Sequence, residues 1–444
     1  MNEQSYIDLY KEHAADINAH GASALNQHRE EAFKRWQEMG FPTKKNDHYR
    51  HCNFEQELSI DYGLNLKQIN LASQTQHLFQ CDVPGIQSYL RYVINDTYVQ
   101  TSDEQLPNGI ILCSLREASV SHKELVEQHL NQLAARQNDP FATFNSAYAQ
   151  DGLFVYVPDG VQMDRPIQLV NLMNASIDFM GNSRNLIVIG KNTKCHVLVC
   201  DHASGTPHYF SNRVTEVFIG ENSSYEHYKL ESTSKQMSNV SSLLIHQSAN
   251  SSFLGNLITL HNGKTRNNVH IDLNGSGCDC VLCGMVIGDG HQVVDNSTVI
   301  NHNYPNCHSN ELFKYILGES SLGIFNGLLK VQPGAQKTAA YQTNRNLLLS
   351  DNADIKTRPQ LEIYADDVKC SHGATTGQLD ESALFYMRQR GISEEEARLL
   401  LMSAFVNDVV ENIRIDALKD KIHLLVDKRL RGEKAKCQSC SACK

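Results

Sequence analysis

The chain has 444 residues, long enough for large hydrophobic cores and two or three domains, and its 40 basic against 50 acidic side chains leave a formal charge of -10. That balance argues against a general nucleic-acid binder, and no apolar run approaches the roughly 18 residues that would span a bilayer. Thirteen cysteines, an odd number without regular spacing, make no secreted disulfide framework; with no signal-peptide pattern in Met1 to Asp8, a reducing, cytoplasmic location is expected.

At the N-terminus, Tyr6, Leu9, Tyr10, His13 and Ile17 share one helical stripe and Ala32, Phe33 and Trp36 a second, so residues 1 to about 45 read as a small helical element. Between about 50 and 120 the pattern is mixed, with strand-like runs at 92–94 and 109–115. The spacing then predicts a helix over Lys123–Arg136, with Ser121 as N-cap and Glu124 completing a capping box. Residues 1–150 form an N-terminal helical and mixed α/β region on this reading.

From Asp151 the character changes to short strands separated by Gly, Asn, Ser and Asp turns. Gly160, Gly190, Gly220 and Asn250 fall 30 residues apart, each between two β-rich runs, and the phase is lost beyond Asn250. A turn recurring at this interval over more than 200 residues without a linker points to stacked coils, a parallel β-helix over 151–372. A β-sandwich would close within about 100 residues.

After His372 the reading is a Gly-containing loop and then helices, over 373–432. Asp380 caps a first helix that stops at Gly391, Ser393 and Glu396 form a capping box for a second reaching about Val410, and Leu418, Ile422, Leu425, Val426 and Leu430 mark one face of a third. Such helices can cap the last coil or dock a partner, and periodicity does not separate the two. A Cys-rich tail, 433–444, closes the chain.

Two constellations stand out chemically. At the end of the strand Leu361-Glu-Ile-Tyr364 come Cys370 and His372, which project from one face if the strand persists through Ser371. A thiol and an imidazole suit iron, zinc or an iron-sulfur cluster but complete no site by themselves, so further ligands must come from elsewhere in the chain or from a partner. A buried Cys beside a backbone-satisfied His is the alternative. In the tail, Cys437, Cys440 and Cys443 put three thiols within reach of one ion; a labile metal or cluster site and a reactive tail without a fixed ligand both remain open.

Other features read more plainly. Cys278, Cys280 and Cys283 read as core-lining thiols, the first two on one face of a strand and the third on the other, and Cys81, Cys113, Cys195 and Cys200 as small core residues. Asn262-Gly-Lys-Thr265 lacks the earlier glycine of a phosphate loop, since Ile258 stands there, so ATP hydrolysis by this chain is not expected.

The run Pro359 to Asp380, with its Cys370-Ser-His372 core, and the continuation Glu381-Ser-Ala-Leu-Phe-Tyr-Met-Arg-Gln-Arg-Gly-Ile-Ser393-Glu-Glu-Glu-Ala397 resemble the SufB/SufD family of iron-sulfur cluster assembly proteins. The resemblance runs from about Asp151 to Gly432 and is closest to the SufD branch, since no SufB-type N-terminal cysteine motif is present. It implies a right-handed β-helix core and a non-catalytic subunit that pairs with a SufB-like subunit and binds a SufC-like ATPase through its C-terminal helices. It also implies that His372, and less directly Cys370, meets a transient iron-sulfur cluster or iron shared with the SufB-like partner. Homodimerisation in the absence of that partner stays open. The rival readings are a β-helix enzyme acting on polysaccharide, which the missing signal peptide disfavours, and a cysteine-rich metal carrier, which only the tail favours.

Overall fold

The computed structural model describes residues 3–69, 86–100, 106–107 and 109–433. Its helices are α1 (Glu3–His20), α2 (Ser23–Met39), α3 (Leu115–Ser121), α4 (Lys123–His129), α5 (Pro140–Tyr148), α6 (Glu381–Gln389), α7 (Glu394–Glu411) and α8 (Asp416–Leu430). The early strands are β1 (Tyr89–Ile94), β2 (Thr97–Val99), β3 (Ile111–Ser114), β4 (Leu153–Val157), β5 (Ile167–Met173), β6 (Phe179–Ile189), β7 (Lys194–Ala203), β8 (Tyr209–Ile219), β9 (Ser224–Ser232) and β10 (Met237–Gln247). The later ones are β11 (Ser252–His261), β12 (Lys264–Leu273), β13 (Asp279–Gly288), β14 (Val293–His302), β15 (His308–Leu317), β16 (Leu322–Val331), β17 (Thr338–Leu348), β18 (Asp354–Ile363) and β19 (Val368–Gly377).

From β4 onward consecutive strands alternate between two sheets, so each strand pairs with the one a full coil later. The ten-stranded sheet runs β2-β1-β5-β7-β9-β11-β13-β15-β17-β19 and the nine-stranded sheet β3-β4-β6-β8-β10-β12-β14-β16-β18. Pairing is antiparallel in β1/β2 and β3/β4 and parallel along the coils. The result is a parallel β-solenoid of about eight turns, as the turn spacing predicts.

The corners explain both the repeat and its drift. Gly160, Asn192, Asn222, Asn250, Gly277, Asn306 and Lys337 take left-handed backbone, which Gly and then Asn adopt most cheaply. Each corner N–H donates to the next coil, Asn192 to Glu221 O at 2.9 Å and Asn222 to Ala249 O at 3.0 Å among them. The next residue, Thr193, Ser223, Ser251, Cys278, Cys307 or Thr338, turns its hydroxyl or thiol back onto a corner carbonyl. Gly190 and Gly220 stand two residues before their corner Asn, where a Cβ on Gly220 would lie 2.4 Å from the Gly190 oxygen. The 30-residue spacing thus joins two neighbouring corner positions, and it fails where the corners change length.

Inside the coils Val155, Val197, Ile219, Phe253, Leu282, Phe313 and Leu329 form one continuous core. Helices α1, α2 and α5 cover the nine-stranded sheet through Phe33, Trp36, Phe141 and Phe144, which meet Met180, Phe210 and Val240. Hence β6 is buried along its whole length, whereas the later β14 and β16 alternate between buried and half-buried. Glu216, fully buried, pairs with Arg184 at 2.9 Å and accepts the backbone N–H groups of Asn131, Leu133 and Ala134. These bonds pin the segment after α4 to the sheet.

That pinning overrides the expected single helix over Lys123–Arg136. The chain breaks into α4 and a 3₁₀ turn at Ala134–Arg136, with Asn131 in left-handed backbone. Ser121 is not an N-cap: it ends α3, its hydroxyl donating to Glu117 O at 2.9 Å, and Ser114 caps α3 instead.

At the other end, Asp380 caps α6 through the N–H groups of Ser382 and Ala383, and Ser393 caps α7. The return arm of the Ser393 capping box is not made, because Glu396 pairs with Arg431 at 3.0 Å. Leu418, Ile422, Leu425 and Val426 are buried in the cluster that joins α7 and α8 to Leu198, Leu254 and Met285 on the ten-stranded sheet. Arg429 fixes α8, donating to Leu260 O (2.6 Å), Ile287 O (3.1 Å) and the Asp289 carboxylate (2.6 Å). The apolar stripe of α8 is therefore used within the fold, as a cover for the ten-stranded sheet. Among the described residues no helix is long and apolar enough to cross a membrane.

Candidate functional site

The last coil ends in the open. Among the described residues β18 pairs only with β16 and β19 only with β17, so each has an edge that no described strand covers. Natural edge strands are usually guarded by charge, proline or a cover. β18 follows that practice with Asp354, Lys356, Arg358, Pro359 and Glu362. β19 is guarded less: after Lys369 it reads Cys-Ser-His-Gly-Ala-Thr-Thr-Gly from Cys370 to Gly377, with no acid, lysine, arginine or proline.

The expected loop after His372 is a strand. Main-chain pairing with Thr338–Leu347 carries β19 through Gly373 to Gly377, overriding the low strand propensity of glycine. Ser371 lies within the strand, so Cys370 and His372 share a face, in register with Ala340 and Gln342 of β17. Ala340 and Gln342 are buried, which makes that face the interior of the coil. Cys370 is half-buried against Val331, Ala335 and Ala365, and burial raises its thiol pKa, so it is held as a thiol at neutral pH. His372 is exposed because no further coil among the described residues covers it.

A cavity of about 300 Å³ lies here, lined by Gln342, Thr343, Asn344, Arg345, Ser371, His372, Gly373 and Thr375. Its floor is polar and ordered: Asn346 donates to Asn344 Oδ1 at 2.8 Å and to Thr375 O at 3.1 Å, and Asn344 donates to Phe313 O at 3.3 Å. Gln342 Nε2 donates to Glu311 Oε2 at 2.5 Å. Glu311 is fully buried, and burial, only partly offset by the hydrogen bond from Gln342, pushes its carboxyl up to about 7. Among the described residues no three His, Cys, Asp or Glu side chains stand close enough to hold a metal ion. Cys370 and His372 thus offer two donors at the end of the described solenoid, and a metal held there would need further ligands from outside the described residues or from a second molecule.

The remaining cysteines fall as follows. Cys437, Cys440 and Cys443 lie outside the described residues, as does Cys81. Cys278 and Cys280 line the interior and Cys283 faces the C-terminal helices, as the strand alternation predicts. Cys278 is unusual in one respect: the neighbouring Cys307 thiol, opposed by burial, lowers its thiol pKa. Cys113, Cys195 and Cys200 are buried.

Glu311, Gln342 and Asn344 escape a motif-by-motif reading, since none belongs to a local pattern. A signal did exist. His372, Gln342 and Glu311 are one coil apart, and stepping back through the repeat from His372 would have reached both.

Two family models cover nearly the whole chain: the SufBD core domain of the SUF system for iron-sulfur cluster assembly matches residues 172–405, and the SufBD N-terminal region matches residues 1–169. A SufBD family iron-sulfur cluster assembly protein of Synechocystis is 30% identical over 338 residues, covering 74% of each chain. The iron-sulfur cluster assembly protein SufD of Escherichia coli is 29% identical over 307 residues, 67% of this chain and 71% of its own. SufD of Bacillus subtilis is 27% identical over 353 residues, 75% of this chain and 77% of its own. With both the core and the N-terminal region matched, and with the coil architecture observed, the chain belongs to the SufBD family of iron-sulfur cluster assembly proteins.

Proposed function

We propose that this chain is a non-catalytic subunit of a SufBCD-type scaffold that pairs with a SufB-like subunit and binds a SufC-like ATPase. The observation that carries the reading is the last coil, uncovered among the described residues, where the lightly guarded edge of β19 holds His372 and Cys370 as the two donors the described residues place there. A partner strand added there would satisfy free main-chain groups and bring the missing ligands to the same edge. On this reading an iron-sulfur cluster or iron is cargo held transiently between the two subunits. His372 serves as a ligand, and Cys370, whose thiol is held protonated, is the secondary one.

The ATPase surface falls on the C-terminal helices. The apolar stripe of α8 is already buried, so the docking surface is instead the outer side, where Phe385 and Tyr386 of α6 are 63% and 57% exposed. Two aromatic neighbours this exposed at one helix are the kind of anchor that interfaces use. A cytoplasmic location accords with free thiols throughout the described chain.

The test is co-purification from the native cytosol followed by identification of bound chains. A SufB-like subunit and a SufC-like ATPase in fixed ratio support the reading. A homodimer alone, or this chain alone, contradicts it.

A further inference from the structure

An imidazole binds a metal through the lone pair of one ring nitrogen, and which nitrogen is free depends on what receives the N–H of the other. The surroundings of His372 supply one such acceptor. Glu311, Gln342 and His372 occupy the same register position on β15, β17 and β19, so their side chains form an inward column with rungs about 4.8 Å apart. The first rung, Glu311, is fully buried, the second, Gln342, is 1% exposed, and His372 is exposed at the open end.

The amide between them is oriented. Gln342 Nε2 is committed inward to Glu311 Oε2 at 2.5 Å, while Gln342 Oε1 is buried and has no hydrogen-bond partner among the described residues. A buried carbonyl oxygen without a donor is uncommon in folded proteins. The wall opposite holds the amide in place: at Gly327 of β16 an added Cβ would stand 2.2 Å from Gln342 Nε2, so the glycine leaves just the room the amide fills. His372 is the next rung outward, one strand spacing from Gln342 in the same register, and lines the same cavity.

We propose that Gln342 is a positioning residue for His372: its side-chain oxygen accepts the N–H of one imidazole nitrogen and leaves the lone pair of the other directed to the open end of the solenoid. Glu311 acts one step further back, fixing which way the amide points. The proposal rests on the reading of His372 as a ligand, but it concerns the ring's tautomer and so can be tested without any cluster.

The experiment is ¹⁵N NMR of the full chain labelled at histidine, at a pH where the ring is neutral, with the His372 signals assigned by their loss in His372→Ala. The expected result is one dominant His372 tautomer, and in Gln342→Leu, which keeps volume and removes the acceptor, a move to the mixed populations of the exposed histidines in the same spectrum. Gly327→Ala, which displaces the amide without altering the column, should give the same move. Glu311→Gln, which keeps an acceptor for Nε2, should leave the tautomer as it was. A wild-type ring already mixed, or an unchanged tautomer in Gln342→Leu, would overturn the proposal; if Gln342→Leu fails to fold, the wild-type spectrum and Gly327→Ala decide. A locked tautomer together with normal cluster assembly by His372→Ala would instead reject the ligand reading and leave the positioning intact.

Discussion

Glu311→Gln should make the protein more stable at alkaline pH, with the gain shrinking as pH falls. Glu311 is fully buried and its carboxyl is raised from 4.5 to about 7. An unfolded chain releases that proton above about pH 4.5, while the native state keeps it until about pH 7. The unfolded state therefore binds fewer protons in this window, so native stability falls as pH rises through it and stays lower above it. A shift of about 2.5 units corresponds to about 3 kcal/mol above pH 7.5, and to under about 1 kcal/mol at pH 5. Gln removes the ionisation and keeps an oxygen for Gln342 Nε2. It adds an amide N–H whose burial costs about 1 kcal/mol at every pH, so the slope with pH carries the argument rather than the absolute value. Urea unfolding of both proteins, followed by far-ultraviolet circular dichroism at pH 5 and pH 8, gives the comparison. The expected difference in the effect of the substitution between the two is about 2 kcal/mol, in favour of the variant at pH 8. A pH-independent effect would refute the account of Glu311 as an acid held neutral by burial.

Two further predictions follow from the C-terminal region. Arg429→Ala should release α8 from the solenoid, because it strands the buried carbonyls of Leu260 and Ile287 and removes the Asp289 pair; hydrogen exchange should rise over 416–430 while the strands of the middle coils keep their protection. Ending the chain at Lys436 should leave unfolding midpoints unchanged, and if Cys437, Cys440 and Cys443 hold a soft metal, it should lower the iron or zinc that co-purifies under anaerobic conditions; equal metal in the two forms rejects the ligand role.

Much of the architecture was legible because it is written locally. Asn and Gly at left-handed corners, the stripes through Tyr6 and Ile17, and the caps Asp380 and Ser393 each act within a few residues. What was not legible depends on partners a coil away. Gly373 to Gly377 form a strand only because β17 lies beside them, the helix expected to reach Arg136 stops early because Glu216 pulls the backbone of 131–134 onto the sheet, and the α8 stripe faces inward because the ten-stranded sheet needs a cover. The site divides in the same way. Cys370 and His372 stand out by residue type, whereas Glu311 and Gln342 matter only through stacking, which a reading along the chain sees only if the repeat keeps its phase.

On the proposed function, the open coil end brings His372 into cluster chemistry with a SufB-like partner. The direct measurement is the rate of iron-sulfur cluster formation by the reconstituted complex of this chain, the SufB-like subunit and the SufC-like ATPase, with wild type and with His372→Ala compared at equal complex stoichiometry. Because His372 is exposed and contributes little packing, the variant should assemble normally and form clusters at least several-fold more slowly, with Cys370→Ala giving a smaller loss. Equal rates from intact complexes of the two would contradict the claim.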